Sequence, residues 1–469
     1  TGDKCVIIKK PVVLGASTNG FAKNIKIETA SGNTGNLNIA GSLTVTDAIN
    51  TTAATDLVVE SDGNLKQVNE SLVNTTPVSV RRLHSLTGLR KEYNYLSSPV
   101  SYQNMKAIFG NNPANVPFVT KLNEPTNFFV NAAATDWDGP EDRAKGFAVR
   151  EPIIGYTGIP AQNLEFNEAQ YQGIPNNGNA ISLSLDYTPN RGYNLAGNPY
   201  PSNLDIVELY ANSTTTLIDP TFRFWDNTVN EIYTQMGGAY QGYSYALYNV
   251  LTDPAIGYGT NAPGDGSGES SKIPNRVIKV SQAFMVRATG PNAKLNFNNT
   301  QRKTTNTNSV FFGKTSPHNR YHLELVKSNG FTVQNGIAYF NGGNQAFGLE
   351  DTRVPNSQAS DALFSFAGDA KVVINGRSAF TVDDMMPLGL RHFTSGTYKI
   401  HVVDEECVFA NGQSIYLKDK QLNILTDLTA GDYTFTSEAG EFTNRFEIVY
   451  KPEMVLGTDG IGKSKIEVY

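Results

Sequence analysis

RYHLELVKSNGFTVQNGIAYFNGG (Arg320 to Gly343) decides the fold of this chain. Tyr321, Leu323 and Leu325 alternate with His322 and Glu324, and alternation with a period of two puts one apolar and one polar face on a β-strand. The runs DALFSFA, AKVVING, MPLGLR, GTYKIHVV, SIYLKDK, GDYTFTS and NRFEIVYK follow, most of them alternating in the same way. Asn375-Gly376, Asn411-Gly412 and Gly431-Asp432 read as turn pairs between them. About eight or nine strands in residues 310–451 predict a jelly-roll-like β-sandwich.

Residues 78–303 carry the same texture with longer loops, in NVPFVTKL, KGFAVREP, ISLSLDY, FRFWDN, IYTQM and VIKVSQAFMVRA. They predict a second β-sandwich whose loops lie at 111–117, 136–145 and 252–274, the last polar and exposed. The one helical signal is Asn203 to Ser213, with Leu204, Val207 and Tyr210 three residues apart and Asp205 in the first turn. In residues 1–77 short runs such as Leu37/Ile39, Leu43/Val45 and Leu57/Val59 are irregularly spaced. Rungs of a small β-solenoid and an antiparallel meander both fit them. The polar stretch NNTQRKTTNTNS (Asn298 to Ser309) reads as a linker, and residues 452–469 as a flexible tail that begins a strand at Lys465. The fold class is therefore all-β, with sandwiches in series and very little helix.

Composition narrows the function. Of 469 residues 17% are charged, Gly 42 and Pro 22 are frequent, and the net charge is -6, so no global positive field exists to hold nucleic acid or anionic lipid. No apolar stretch reaches membrane-spanning length, and a start at Thr1 without a signal segment reads as a mature chain or a fragment. Cys5 and Cys407 exclude a disulfide framework; they are either one bridge or two half-buried thiols.

The phrase YNLAGNPYPSNLD (Tyr193 to Asp205) resembles the N-L-x-G-N-P-Y-P-S signature of cell-surface proteins secreted by the type IX system of Bacteroidota. Physically, Pro199 and Pro201 hold their neighbours extended, Gly197 permits a turn, and Ser202 or Asn203 can cap the following helix. Asp56 to Gln67, Tyr93 to Val100, Lys145 to Pro152, the FRFWDN segment, Tyr243 to Val250, Leu295 to Arg302 and Ser414 to Lys451 are similar to that family in the same order. This chain has Ser281-Gln282-Ala283-Phe284 where the family usually has Gly-Gln-Gly-Phe. The resemblance implies a secreted, surface-exposed cargo protein, tied to adhesion or gliding. It also implies that Lys465, Ile466, Glu467, Val468 and Tyr469 begin a C-terminal sorting domain, whose partners would be the outer-membrane translocon and its shuttle protein.

Catalytic motifs are scarce. There is no G-x-S-x-G elbow, P-loop or dinucleotide fingerprint. His318 and His322 stand four apart but enter a strand, where their rings need not converge. Asp383-Asp384 and Asp404-Glu405-Glu406 are adjacent acids that point apart on strands, which disfavours a glycosidase pair. DWDGPED offers Asp136, Asp138, Glu141 and Asp142 as calcium ligands, with Asp265 and Glu269 a weaker pair. No other cofactor is expected. Tyr240, Tyr243, Tyr245 and Tyr248 cluster beyond Trp225, and Trp225, Tyr240 and Tyr243 are candidates for stacking on surface glycans, against the alternative that Tyr243 and Tyr245, on one strand face, pack in the core. The reading is a non-enzymatic adhesin or structural surface component. Its alternatives are a carbohydrate-binding module of a larger secreted polymer-degrading protein, and a hydrolase.

Overall fold

Parallel pairing of very short strands dominates the N-terminal region of the computed structural model. The structure describes residues 3–83, 93–101, 103–108, 118–136, 142–150, 168–178, 181–226, 245–253, 256–264, 273–304, 318–355 and 361–452. Cys5–Ile8, Asn24–Ile27 and Ile49–Asn50 stack on one face, and Pro11–Leu14, Asn36–Ile39 and Leu57–Val59 on a second. Asn19–Ala22, Ser42–Val45 and Asn64–Gln67 make the third. Each circuit of the chain lays a rung on the one before it, so the region is a three-sided β-solenoid and not a meander. The register sets like on like: Ile25 on Ile49, Leu37 on Leu57, Leu43 on Leu65. These ladders are buried and fill the lumen. A Cβ on Gly41 would lie 2.3 Å from the Gly15 carbonyl oxygen, and one on Gly63 2.1 Å from that of Ile39. Only glycine lets successive rungs close at these corners.

Val78–Leu83 extends the second stack in parallel and then pairs antiparallel with Glu168–Gly173, so the sheet runs on past residue 77. Beyond it the chain is mostly antiparallel. Tyr93–Leu96, Phe147–Arg150, Phe118–Asn123 and Phe128–Asn131 form a four-stranded sheet. Tyr193–Gly197, Ala283–Arg287, Thr221–Trp225, Tyr245–Asn249 and Tyr258–Thr260 form a five-stranded one. Ile206–Ala211 is the one α-helix among the described residues, shorter than the predicted 203–213 because Asn203–Asp205 is spent on a strand. Its cap is Asp205, not Ser202 or Asn203; the Asp205 carboxylate accepts from the Val207 and Glu208 amides at 3.1 and 3.3 Å.

The Tyr193 to Asp205 phrase is the joint of the molecule. The Pro201 carbonyl accepts from the Leu65 amide of the solenoid, 2.7 Å, and the Asn203 amide donates to Asn64. Asn198 donates to the Ser202 and Lys279 carbonyls and accepts from the Tyr200 amide. Gly197 is required by close approach and not by a turn, since a Cβ there would sit 2.3 Å from the Ser97 Cβ. Ser281 takes the left-handed conformation, φ 65°, which glycine would adopt at no steric cost, and its hydroxyl bonds that of Tyr171.

Two predicted loops are partly core. Asn298 to Lys303 is no linker: Arg302 is fully buried, and Arg302–Lys303 is a strand beside Asn203–Asp205. Within 252–274, Tyr258–Thr260 is a buried strand, because it is covered by the C-terminal sandwich through Ala338, Val373 and Ile374. A mostly polar stretch hides a burial site when its partners are distant in sequence.

The C-terminal region is one long sheet that curls on itself. Its path runs from Ile424–Asp427 through Tyr416–Asp419, Gly440–Val449, Met385–His392, Ala362–Ala367, Ala370–Arg377, Thr332–Tyr339, Asn319–Lys327 and Gly396–Glu406 to Tyr433–Ser437. The far ends meet: Phe435 packs edge-on against Phe446, 5.0 Å between ring centres, and the Tyr433 hydroxyl donates to Asp419. The result is a β-sandwich, as its alternation predicts. Asn375-Gly376 is not a turn but the buried interior of a strand, where Asn375 donates to Ser365 Oγ at 2.9 Å.

A chain of buried phenols crosses this core. Tyr321 donates to Tyr450, Tyr450 to Tyr339, and Tyr339 to the Asp384 carboxylate at 2.8 Å, which Arg377 clamps with two further bonds. Burial raises all three phenols well above their ordinary pKa. Tyr450→Phe keeps the ring but strands a donor and an acceptor, so we expect a loss of about 2 kcal/mol in urea unfolding. A midpoint unchanged from the parent would refute the network's role.

The middle region docks on the sandwich through polar groups. Asn249 donates to the Leu349 and Asp351 carbonyls and to Thr352 Oγ1, and accepts from the Leu251 and Thr252 amides. The Asp351 carboxylate accepts from the Gly348 and Gly376 amides, 2.8 Å each, and burial pushes its pKa up to about 6. An acid raised in the native state binds its proton more tightly folded than unfolded, so it adds stability as pH falls through 6. The parent should therefore gain about 1 kcal/mol over Asp351→Asn between pH 7 and pH 5. A difference in unfolding free energy that stays flat across that window would contradict the assignment.

Candidate functional site

Trp225, a sequence candidate for stacking on sugars, is half-buried against the cluster that holds Tyr93, Tyr95 and Phe129. It stacks on Tyr95 at 5.4 Å and 24°, and Tyr245 meets it edge-on at 5.3 Å. The Tyr95 and Tyr245 hydroxyls bond each other at 2.7 Å, and burial raises both phenols. Tyr248 is buried in the neighbouring core. Tyr240 and Tyr243 lie outside the described residues, as do Asp138, Glu141, Asp265, Glu269 and Lys465 to Tyr469.

The two described acids of DWDGPED are each held by a lysine. Asp136 pairs with Lys121 and accepts from the Ala133 amide, while Asp142 pairs with Lys145. Among the described residues no group of three or more His, Cys, Asp and Glu side chains is gathered for a metal ion. What Asp136 does line is a cleft of about 230 Å³, at the seam of the four-stranded sheet with Ile181–Ser184 and Tyr193–Gly197. Leu122, Phe147 and Leu195 give it an apolar floor, and Lys121, Lys145 and Asp186 are among its polar groups.

Its wall is rigid for a definable reason. The buried Glu124 carboxylate accepts from the Thr188 amide and hydroxyl, 2.8 Å each, and from the Gly192 amide, fixing the turn that precedes Tyr193. Asn194 accepts from the Asp186 amide and donates to the Asp186 and Gly192 carbonyls. Both side chains spend their hydrogen bonds on shape. Sequence reasoning found Asp136 from its loop but missed Lys121, Asp186 and Asn194, which carry no local pattern.

A second polar cluster sits where the middle region meets the sandwich. His318 pairs with Asp253, which Arg320 also approaches, and Arg320 binds Glu406 at 2.8 Å. His322 stacks on Tyr258, contacts the Gly259 carbonyl at 2.7 Å and lies 3.5 Å from Asp404. Burial pushes the Asp253 carboxyl up, and the bond to His322 holds Asp404 down. The two histidines thus serve separate partners across a joint. Asp383 and Asp384 likewise diverge, to Lys451 and Arg377. Cys5 is exposed rather than half-buried and Cys407 is half-buried; both are free thiols.

Among the described residues no helix is long and apolar enough to cross a membrane. No curated protein and no solved structure matches the chain significantly. A family model does, over residues 1–450, and the chain belongs to that family, described as "Domain of unknown function (DUF8693)".

Proposed function

We propose that this chain is a secreted cell-surface protein, exported by a type IX system of the Bacteroidota kind, and that it acts as a non-enzymatic adhesin or structural component in surface adhesion or gliding. The observation that supports this reading is the joint. The Tyr193 to Asp205 phrase, which carries the resemblance to that family, is where the solenoid and the middle sheets are locked together, so the likeness lies in the framework rather than in one surface loop. The translocon and its shuttle are the proposed partners, engaged through the segment that opens at Lys465. Deleting everything after Lys451 in the native host should leave the protein inside the cell envelope. Unchanged appearance of the truncated chain outside the cell would overturn the export assignment.

The second reading, a carbohydrate-binding module of a larger secreted polymer-degrading protein, draws its support from the cleft beside Asp136.

A further inference from the structure

We propose that the cleft beside Asp136 binds a single neutral sugar ring, the terminal residue of an uncharged glycan. This names a ligand for the surface protein proposed above and rests on that reading for its setting. At about 230 Å³ the cleft is smaller than the roughly 300–1,000 Å³ that drug-sized ligands occupy, a size that suits one ring.

The chemistry of the lining selects among small ligands. Each sugar hydroxyl both donates and accepts, and the cleft offers both complements: ammonium donors on Lys121 and Lys145, carboxylate acceptors on Asp136 and Asp186. Leu122, Phe147 and Leu195 suit the C–H face of the ring. An anion is disfavoured, because Lys121 and Lys145 are already neutralised by Asp136 and Asp142, and Glu124 and Asp186 add negative charge. A divalent cation is disfavoured because the described lining acids other than Asp186 are already engaged: Asp136 pairs with Lys121, and Glu124 accepts from Thr188 and Gly192. A neutral, polyhydroxylated ligand meets neither penalty. The bonds spent by Glu124 and Asn194 hold the wall in place beforehand, which reduces the ordering that binding must supply.

Titration calorimetry of the full chain with methyl glycosides of glucose, galactose, mannose and N-acetylglucosamine tests this, with glucuronate, inorganic phosphate and calcium chloride run in parallel. At least one neutral glycoside should bind with Kd on the order of 1 mM. Asp186→Asn and Lys145→Met should each weaken it about tenfold. Leu349→Ala, exposed and outside the cleft lining, should leave it unchanged. Asp186 is itself exposed, so its variant keeps the fold and carries the test should Lys145→Met misfold. No heat with any neutral glycoside up to about 50 mM would overturn the proposal. So would tighter binding of glucuronate, phosphate or calcium than of any glycoside, or glycoside binding indifferent to Asp186→Asn. Because the titration uses purified protein and the Lys451 truncation reads location, either can fail without the other.

Discussion

Replacing Arg302 by alanine is expected to cost about 4 kcal/mol. The guanidinium is fully buried, and among the described residues no carboxylate pairs with it. Its four bonds go to neutral acceptors: Ser202 Oγ at 2.8 Å, Asn177 and Asn299 Oδ1 at 3.1 Å each, and the Leu65 carbonyl. Its central carbon, Cζ, lies over the Tyr200 ring, 4.7 Å from the ring centre. Burial pulls its pKa down to about 10, which still leaves it charged at neutral pH. Alanine would take a donor from all four acceptors, leaving Asn299 Oδ1 only the Gly178 amide and Asn177 Oδ1 only the Asn299 side-chain amide, and would open a cavity where the solenoid, the Pro199 to Ser202 turn and the Arg302–Lys303 strand meet. Arg302→Lys should recover only part of the loss, about 1 kcal/mol, because an ammonium cannot reach a fork of acceptors spread around a plane. Urea unfolding at constant m-value checks both. An Arg302→Met protein as stable as the parent would show that these bonds contribute nothing net.

Asn249 carries the second large effect. Asn249→Ala is expected to lose about 3 kcal/mol, since three acceptors and two amides lose a fully buried partner. The isosteric Asn249→Asp should do at least as much damage although it changes no volume, because it turns a donor aimed at three oxygens into a fourth oxygen. Calorimetry should show the middle and C-terminal transitions separating in both variants. A stable Asn249→Asp protein with one undivided transition would refute the docking role.

Alternation made the C-terminal sandwich legible, since the curl of its sheet buries alternate residues such as Tyr321, Leu323 and Leu325. The same signal could not separate solenoid from meander, because a period of two is blind to strand direction. The discriminating clue was Gly41 and Gly63, each one residue before the paired Ser42 and Asn64. Arg302 and Asn249 stayed hidden for a different reason. Polar residues that satisfy one another in a core have the composition of a linker, and only their distant partners reveal them. The cleft was half visible: Asp136 sits in a conspicuous acidic loop, whereas Lys121, Asp186 and Asn194 come from strands or turns well apart in sequence.

The chain leaves the sandwich from an interior strand. Gly440–Val449 is hydrogen-bonded along one edge to Met385–His392 and along the other to Tyr416–Asp419. Tension drawn along that strand from Lys451 must therefore slide two ladders at once instead of peeling a single edge. A protein tethered at this end in moving fluid would resist extraction best along this axis.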